Sequence, residues 1–465
     1  MSSGLGDAIA RYHDGLTPDL AEESEAWLSA RLADRKMMFG ARPLCTVLRP
    51  RFLTRDAYLQ IQRVGAAIGR AFTRAHEAAM ARPEVLAQFR LTDWERTLLG
   101  DADGLPVPSP LGRYDAFFMA DGTGLKFTEN NAETPAGSAY GDVLSELFLS
   151  LPGLKPFRQQ YDVRTLPSRP SVLQTLLECY HAATGRRGLP VIGIIDWDEV
   201  PTQSEFQAFK AWFESLGLTC VIADPRELEY SGGKLRAPGG TVIDLVYKRV
   251  LIHELIGREG MEHPMVRAVR ERAVVMVNPF RCKVLHKKAS LAVMSDERNT
   301  TLFDAPMQQA IAAHVPWTRV VEARKTTWQG REVDLLDHVS RHRAQFVLKP
   351  NDDYGGTGIV LGWEVDDAAW TRALEAAVAA PYVVQERIHQ PSEAFAAWIE
   401  GELVVSDRIV DTAPYVFGGT YVDGCLSRIS TAALVNVTAG GGSTIPTFVV
   451  ESRQQAGSRQ STVGR

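Results

Sequence analysis

Polar side chains cluster at the end of an apolar strand in the stretch FTENNAETPAG, residues 127–137. Side chains alternate along a strand, so Glu129 and Asn131 project from one face. One carboxylate and one amide oxygen suit Mg²⁺, which prefers oxygen ligands and retains waters and phosphates. Asp115, on the preceding strand, completes the set if its register turns it to that face, and Arg113 would then meet a phosphate. The competing interpretation is a turn that hydrogen-bonds its own backbone, and the motif alone favours it.

A lysine and three glycines form a second group in FVLKPNDDYGGTGIVLG, residues 346–362. A buried strand ends at Lys349, and Gly355, Gly356 and Gly358 occupy the loop before the next strand. Glycines let backbone N–H groups approach phosphate oxygens, and the lysine supplies a positive charge for them. The loop is neither a Walker loop, since no G-K-[ST] follows, nor a kinase loop, whose glycines precede the lysine. Taken alone, a hairpin with a glycine turn is the simpler interpretation.

Two further segments place polar residues beside apolar ones. The strand PYVVQERI runs into Gln385 and Glu386, and taken alone it is a strand followed by a polar connection. The segment VLHKKASLAVM places Lys287 and Lys288 at the start of a predicted helix. A solvated basic face is the ordinary explanation for such a pair.

The elements that must position these residues are predicted from periodicity. RYDAFFMA and LKFTEN alternate around a DGTG turn as a hairpin, and the helix GDVLSELFLSL follows. The segments PVIGIID, SEFQAFKAWFESLG and TCVIAD predict a parallel, Rossmann-like β-α-β unit without the G-x-G-x-x-G fingerprint of dinucleotide binding. Its helix has an apolar face formed by Phe206, Phe209, Phe213 and Leu216, and Gly217 is its expected end.

The two ends of the chain differ in character. Residues 17–82 are predicted to be helical, with Thr17 before a helix that starts at Pro18 and Thr54 before the next one. The last third alternates strands and helices, including a helix begun by Asp366 and strands at AAWIEGELVVSDRIV and LVNVTAGGGS. The final residues, SRQQAGSRQSTVGR, contain no aromatic residue, so a disordered tail is expected.

Composition narrows the class of protein. The 465 residues are 45% hydrophobic and 23% charged, with a formal net charge of −5 and a pI near 6.1. These values favour two or three globular domains and argue against nucleic acid or an anionic membrane as a partner. No secretory leader or apolar segment of about 20 residues is present, so a cytoplasmic location is expected. The five scattered cysteines are predicted to be core residues without disulfides.

Taken in order, these segments resemble the ATP-grasp superfamily, in particular its circularly permuted branch, which is similar to the synthetase domain of glutathionylspermidine synthetase. In permuted members the metal strand precedes the lysines and the glycine loop, and here GRYD and ENNAETP precede KKASL, VLKP, GGTG and VVQE. ENNAETP resembles the family's E-x-N-x-D-T-P, KKASL its N-K-A, and YVFGG…CLSRIS…NVTAGGGS its C-terminal segment. The resemblance extends over residues 111–445. It implies an α/β (α+β) fold with a permuted ATP-grasp core and a Rossmann-like domain.

The resemblance also implies domain boundaries. They are a helical N-terminal region at 1–110, metal-binding strands at 111–165, a Rossmann-like domain at 166–275, nucleotide-binding subdomains at 276–450 and a disordered tail at 451–465.

Metal ligands follow from the same resemblance. Asp115, Glu129 and Asn131 would ligate two Mg²⁺ ions that bridge the phosphates of ATP. Arg113 would contact the transferring phosphoryl group, which makes it a candidate catalytic residue.

The nucleotide contacts implied by the resemblance come from the last third of the chain. Lys288 and Lys349 would hold the phosphates, with Lys349 also catalytic, and the three glycines at 355–358 would close over them. Gln385 and Glu386 would line the adenine and ribose pocket.

Two departures from the family pattern leave assignments open. The residue before the first lysine is Lys287 rather than Asn, so Lys283, Lys287 and Lys288 remain alternatives for the phosphate contact. The hairpin is longer by its DGTG turn, which leaves the partner of Asp115 open.

The implied activity is ligation of a small carboxylate to an amine or thiol. A carboxylate is a poor acceptor because its leaving group would be oxide, so ATP converts it to an acyl phosphate, and ADP and phosphate are released. A peptide or amino acid derivative is the expected substrate. The alternatives are an ATP-dependent phosphotransferase and a non-catalytic nucleotide-binding scaffold, and the oligomeric state is open.

Residues for the acceptor are less specific. Asp196 follows the strand VIGII at its carboxyl end, where parallel sheets present ligands, and it would hold an amine or cap a turn. Lys248 and Arg249, in LVYKRV, would bind an acidic substrate or face solvent at a strand edge.

Overall fold

The computed structural model describes residues 3–39, 42–100, 103–119, 124–352, 355–432 and 442–453. Residues 121–123 of the predicted DGTG turn, most of the LVNVTAGGGS segment and residues 454–465 lie outside these residues. The tail predicted at 451–465 begins too early, because Glu451 and Ser452 are strand residues paired with Asp162 and Tyr161. Within them, no helix combines the length and apolar character needed to cross a bilayer.

The N-terminal region is mainly helical, with short strands inserted. Thr17 and Thr54 cap the helices that they were predicted to cap. Residues 38–39, 42–43 and 51–53, predicted as helical, instead form short strands, in a region where Pro43 and Pro50 cannot continue a helix. The elements are α1 (Ser3–Gly15), α2 (Pro18–Asp34), β1 (Met38–Phe39), β2 (Arg42–Pro43), β3 (Arg51–Leu53), α3 (Arg55–Ala81), α4 (Pro83–Leu86) and α5 (Asp93–Leu99).

The middle of the chain contains the predicted hairpin and the predicted β-α-β unit. Phe206, Phe209 and Phe213 are buried as expected, but Leu216 is 51% exposed, because the helix ends at Ser215 before its face comes round again. The elements are β4 (Leu111–Phe118), β5 (Leu125–Asn131), α6 (Ser138–Leu149), α7 (Lys155–Gln160), β6 (Tyr161–Thr165), α8 (Arg169–Thr184), β7 (Ile192–Ile195), α9 (Gln203–Ser215), β8 (Cys220–Ala223), β9 (Glu229–Ser231), β10 (Lys234–Arg236), β11 (Val242–Ile243), β12 (Leu245–Lys248), α10 (Ile252–Glu259), α11 (Pro264–Arg270) and β13 (Val275–Val277).

The last third alternates helices and strands as predicted up to α16, whereas the elements that the structure describes after it are all strands, and AAWIEGELVVSDRIV contains two strands paired through a turn at 400–401. Asp366 caps its helix by accepting a hydrogen bond from the backbone N–H of Ala369. The elements are α12 (Cys282–His286), α13 (Ala289–Ser295), α14 (Ala305–His314), β14 (Thr318–Val320), β15 (Lys325–Trp328), β16 (Arg331–Asp334), α15 (Leu335–Arg341), β17 (Phe346–Pro350), β18 (Val360–Leu361), α16 (Asp367–Ala379), β19 (Tyr382–Glu386), β20 (Ser392–Ile399), β21 (Glu402–Phe417), β22 (Tyr421–Ser430), β23 (Gly442–Ile445) and β24 (Thr447–Ser452).

Three sheets of the described chain position the candidate residues. The largest has the order β23-β22-β21-β4-β5, with β20 also paired to β21. A parallel sheet of order β13-β12-β7-β8 contains the predicted β-α-β unit. An antiparallel sheet of order β14-β19-β17-β18 carries the second lysine and the glutamine of the sequence motifs. The fold is therefore mixed α/β, as predicted.

A helix of the N-terminal region supports the hairpin β4–β5. Ile68 and Phe72 of α3 belong to the same buried cluster as Tyr114 and Phe127, and the rings of Phe72 and Tyr114 lie 5.2 Å apart. Tyr114 lies between Arg113 and Asp115 on β4, and Phe127 reaches the same reverse face because the register shift after Asp115 pairs it with Ala116. Burial of this face fixes which way the polar side chains point. All five cysteines are free and buried, as expected.

Candidate functional site

The hairpin register brings the predicted polar residues to one face. Asp115 lies directly opposite Glu129, and Arg113 directly opposite Asn131, with a register shift after Asp115. Opposed residues of an antiparallel pair share a face, so all four side chains meet. Asp115 therefore faces the same side as Glu129 and Asn131, and the polar residues 129–131 belong to a strand rather than to a self-bonded turn.

Asp115 is held by three donors. Arg113 Nε donates to its Oδ1 at 2.8 Å, Arg428 donates to Oδ2 at 2.8 Å, and Asn131 Nδ2 donates to Oδ1 at 2.9 Å. Burial alone would raise the pKa of Asp115, but the two guanidinium groups hold that pKa well below its usual range. The third guanidinium nitrogen of Arg113 donates to the carbonyl of Ala136. Both side chains are thus engaged within the protein.

Arg428 is a member of this face that sequence analysis missed. It stands opposite Asp411 on the neighbouring strand and pairs with Asp411 as well as with Asp115. Its side chain is 15% exposed. The available signal was a single arginine in the apolar strand CLSRIS, but its partner lies 313 residues away in sequence. No local pattern identifies such a pair.

One lysine of the three alternatives reaches the hairpin face. Lys288 Nζ lies 3.1 Å from Glu129 Oε1. Lys283 and Lys287 instead pair with Asp352, at 2.6 and 2.8 Å. Lys287 and Lys288 are 3% and 4% exposed, so the interpretation as a solvated basic face is wrong: other parts of the chain supply carboxylates that allow burial.

Lys349 approaches the same face from another sheet. Its ammonium donates to Gln385 Oε1 at 2.8 Å and to the carbonyl of Thr128 at 3.2 Å. Among the residues that the structure describes, these neutral oxygens are its hydrogen-bond partners. Burial lowers the pKa of Lys349 to about 8, which Glu129 partly opposes. A partly buried cation with only neutral partners is suited to an anionic ligand.

The remaining nucleotide residues divide between two faces of the third sheet. Gln385 is buried, accepts from Lys349 and donates to Thr318 Oγ1 at 3.0 Å. The carboxylate of Glu386 instead accepts from the backbone N–H of Trp317 at 2.9 Å, because neighbouring strand residues point to opposite faces. Glu386 is therefore not brought into the cluster, and its role as an adenine or ribose contact stays a prediction.

The glycine loop has the backbone conformation that glycine permits. Gly355, Gly356 and Gly358 have φ values of 69°, 80° and 69°. A Cβ on Gly358 would lie 2.7 Å from Pro350. The loop thus requires glycine for geometry, as the sequence indicated, and its contact with phosphates stays a prediction.

The charged residues beyond the β-α-β unit are buried rather than solvent-facing. Lys248 pairs with Glu133 at 2.9 Å and Arg249 with Glu205 at 3.2 Å. These buried pairs contradict the solvent-facing edge predicted as one alternative, whereas the binding of an acidic substrate stays a prediction. Asp196 is 7% exposed and accepts from the backbone N–H of Trp197, and burial raises its pKa to about 6.

The charge balance of the hairpin face favours an anion. Four cations converge with three carboxylates, which leaves one positive charge: Arg113, Arg428, Lys288 and Lys349 against Asp115, Glu129 and Asp411. A divalent cation alone would raise this excess, whereas a cation bound together with phosphates would remove it.

The donor set of the hairpin fits Mg²⁺ in part. Among the described residues, Glu129 Oε2 and Asn131 Oδ1 have no hydrogen-bond partner, and they are oxygens of the kind that Mg²⁺ prefers. Asp115 accepts a hydrogen bond from Asn131 Nδ2, which leaves the Oδ1 of Asn131 facing away from Asp115. Direct ligation by Asp115 stays a prediction that requires a guanidinium group to move. No cluster of three or more His, Cys, Asp or Glu ligands exists in the described part of the chain.

Comparisons with known proteins identify related chains and a shared fold. No protein-family model matches the sequence. Two putative glutamate–cysteine ligases, 2-2 of Frankia casuarinae and 2-3 of Frankia alni, are each 24% identical over 94% of this chain. The chain spans 51% of the length of both relatives.

The fold is that of a solved glutathione synthetase-like protein. The effector GSS30 from Globodera pallida, in its apo form, superposes with a TM-score of 0.60 at 13% identity. The match covers 93% of this chain and 96% of that chain. The more specific resemblance to glutathionylspermidine synthetase, with its circular permutation, stays a prediction.

Proposed function

We propose that this chain is an ATP- and Mg²⁺-dependent ligase that joins a carboxylate to an amine or thiol through an acyl phosphate and releases ADP and phosphate. The observation that carries the proposal is the convergence of Lys288 and Lys349, from two other elements, on the strand face that bears Glu129 and Asn131. The names of the relatives, glutamate–cysteine ligase and glutathione synthetase-like effector, support a ligase. They favour an amino acid or a small peptide as the substrate.

The chain's own residues would hold the nucleotide by charge. Lys349, whose pKa is lowered by burial to about 8, gains a counter-charge when phosphates lie beside it, and Gln385 orients its ammonium. Lys288 would exchange its contact with Glu129 for a phosphate. Glu129 and the outward oxygen of Asn131 would then hold Mg²⁺, which supplies charge that neutralises the phosphates.

Two further features would serve the reaction. The buried guanidinium groups of Arg113 and Arg428 fix the orientation of Asn131 through Asp115. The glycine loop at 355–358 would lie over the phosphates and exclude water, which would otherwise hydrolyse the acyl phosphate.

Thermal melting tests the nucleotide site. ATP with Mg²⁺ should raise the melting temperature of the wild type, since a ligand at about 100 times its Kd adds about 2.7 kcal/mol to the free energy of unfolding. Glu129→Gln should lose the Mg²⁺-dependent part of this shift and keep the part caused by ATP alone. Glu332→Gln, which alters an exposed acid on β16, is the matched control and should behave as the wild type. Absence of any shift with ATP in the wild type contradicts the proposal.

Product analysis separates the ligase from its rivals. Glutamate and cysteine, the substrates in the relatives' names, are the first pair to test, with ADP, phosphate and the amide as measured products. A stable phosphorylated product would indicate a phosphotransferase. Tight Mg-ATP binding without turnover of any carboxylate and amine pair would indicate a scaffold.

A further inference from the structure

A second ion network lies beyond the end of β5, and its ion pairs among the described residues involve none of the charged side chains of the hairpin face. Glu133 is 0% exposed and accepts from Lys248 at 2.9 Å, from Lys283 at 3.0 Å and from the backbone N–H of Ile252 at 2.6 Å. Lys283 reaches onward to Asp352, with 2.6 Å between the ammonium and Oδ1. One lysine therefore bridges two carboxylates that are far apart in sequence.

Asp352 lies at the base of the glycine loop. It follows Asn351, whose Oδ1 accepts from the backbone N–H of Ala289 and whose carbonyl accepts from that of Lys288, at 2.8 and 2.9 Å. Lys287 also holds Asp352, at 2.8 Å, and pairs with Glu95 at 2.7 Å. The strand that leads into the loop is thus fixed to the junction of α12 and α13.

The network is neutral by itself, unlike the hairpin face. Its three lysines are balanced by three carboxylates, Glu133, Asp352 and Glu95. Burial lowers the pKa of His286, which lies beside them, to about 4, so this ring adds no charge near pH 7. A balanced network has no charge left for a ligand. Removal of one partner, however, leaves an uncompensated buried charge.

We propose that Lys283 is a positioning residue that couples the metal strand to the glycine loop. Glu133 lies four residues beyond Glu129 on the same segment, and Asp352 lies three residues before Gly355. The link Glu133–Lys283–Asp352 therefore ties the segment that follows Glu129 to the residue at the base of the glycine loop. This inference rests on the proposed function for the identity of the ligand, Mg-ATP, but the positioning itself is a property of the free protein.

Lys248 offers a matched control for Lys283. Both ammonium groups pair with Glu133 at nearly the same distance, and both side chains are 0–2% exposed. Only Lys283 extends to Asp352. Lys283→Met and Lys248→Met therefore remove the same kind of buried partner from Glu133, and they differ in whether Asp352, at the base of the loop, also loses one of its two lysine partners.

The first measurement is amide hydrogen exchange over residues 355–361 in the ligand-free protein. Lys283→Met should raise exchange there by about tenfold relative to Lys248→Met, because local opening of the loop becomes easier. Lys283→Arg should restore much of the protection. Equal exchange in the two Met variants would overturn the proposal, since both substitutions would then act only on global stability.

The second measurement is the affinity for Mg-ATP by titration calorimetry. Lys283→Met should weaken binding by about tenfold, and Lys248→Met should bind as the wild type does. If Lys283→Met does not fold, Asp352→Asn replaces it, because this side chain is 20% exposed and keeps its size. If the wild type itself binds no Mg-ATP, the proposed function fails, while the exchange comparison still decides the role of Lys283.

Discussion

Lys349 should take up a proton when an anionic ligand binds. Its ammonium contacts two neutral oxygens, and burial lowers its pKa from 10.5 to about 8. About half of the molecules therefore carry a neutral Lys349 at pH 8. A phosphate beside the ammonium favours the charged form and returns the pKa towards its ordinary value. Binding and protonation are thus coupled.

The size of this uptake follows from the two pKa values. At pH 8.5, Lys349 is charged in about 0.25 of the ligand-free protein molecules. In the complex, a pKa near 10.5 makes Lys349 almost fully charged, so binding takes up about 0.75 proton. At pH 7 the uptake falls to about 0.1 proton, because the free lysine is already charged. Since binding takes up protons, affinity for the ligand should fall as the pH rises from 8 to about 10.

Titration calorimetry measures the uptake directly. Mg-ATP is titrated at pH 8.5 into protein in two buffers of different ionisation enthalpy, and the difference in heat gives the number of protons. ATP itself contributes little there, since terminal phosphates titrate near pH 6 to 7, about two units lower. Lys349→Met should abolish the uptake. Lys325→Met, which removes a side chain that is 72% exposed, should leave it unchanged. Tight binding without uptake, or uptake that survives Lys349→Met, refutes the assignment of Lys349 as the phosphate contact.

Three further predictions concern stability. The pKa of Asp196 is raised from 3.8 to about 6, so this carboxyl group binds a proton more tightly in the folded state than in the unfolded state. The free energy of unfolding should therefore fall by about 3 kcal/mol as the pH rises through 4 to 6. Asp196→Asn should raise the melting temperature at pH 8 but not at pH 3.5, and equal shifts at both pH values would contradict this. Glu393→Gln leaves the buried guanidinium groups of Arg49 and Arg51 without their carboxylate. It should lower the free energy of unfolding, measured in urea, by about 3–5 kcal/mol. A loss below about 1 kcal/mol would show that the cluster is hydrated. Gly69→Ala would place a Cβ 2.0 Å from the carbonyl oxygen of Gly419 and should lower the free energy of unfolding by about 1–3 kcal/mol. The control Gly141→Ala, at a helical position with open space around it, should raise the free energy of unfolding by about 0.5–1 kcal/mol. Equal effects of the two substitutions would refute the steric argument.

The hairpin face was predictable because its pattern is local. Alternation along a strand places Glu129 and Asn131 together whatever the rest of the fold does. The caps at Thr54 and Asp366 were predictable for the same reason, since a cap depends on the next three residues. The positive φ values of the glycine loop likewise follow from residue type.

The parts that failed depend on distant partners. Lys248 and Arg249 were expected either to bind an acidic substrate or to face solvent at a strand edge, and the burial that contradicts the second alternative requires Glu133 and Glu205 from other segments. The sequence around Lys288 does not distinguish it from Lys283 and Lys287. Lys288 is the one that contacts Glu129 because the other two lysines pair with Asp352, which is distant in sequence. Ion pairs between residues far apart in sequence produce no periodic pattern of residue types. A single sequence therefore does not predict which charged residues pair.

The pairing of Arg428 with Asp115 has a consequence for how the protein is made. The two residues lie 313 positions apart, so at about 5–20 residues per second the hairpin leaves the ribosome some 15 to 60 s before its last ionic partner. During that interval β4 lacks its neighbour β21 and presents an unpaired strand edge with a charged face. In nascent chains this edge is therefore open to edge-to-edge pairing until β21 has emerged, and the charges on its face oppose that pairing in the meantime.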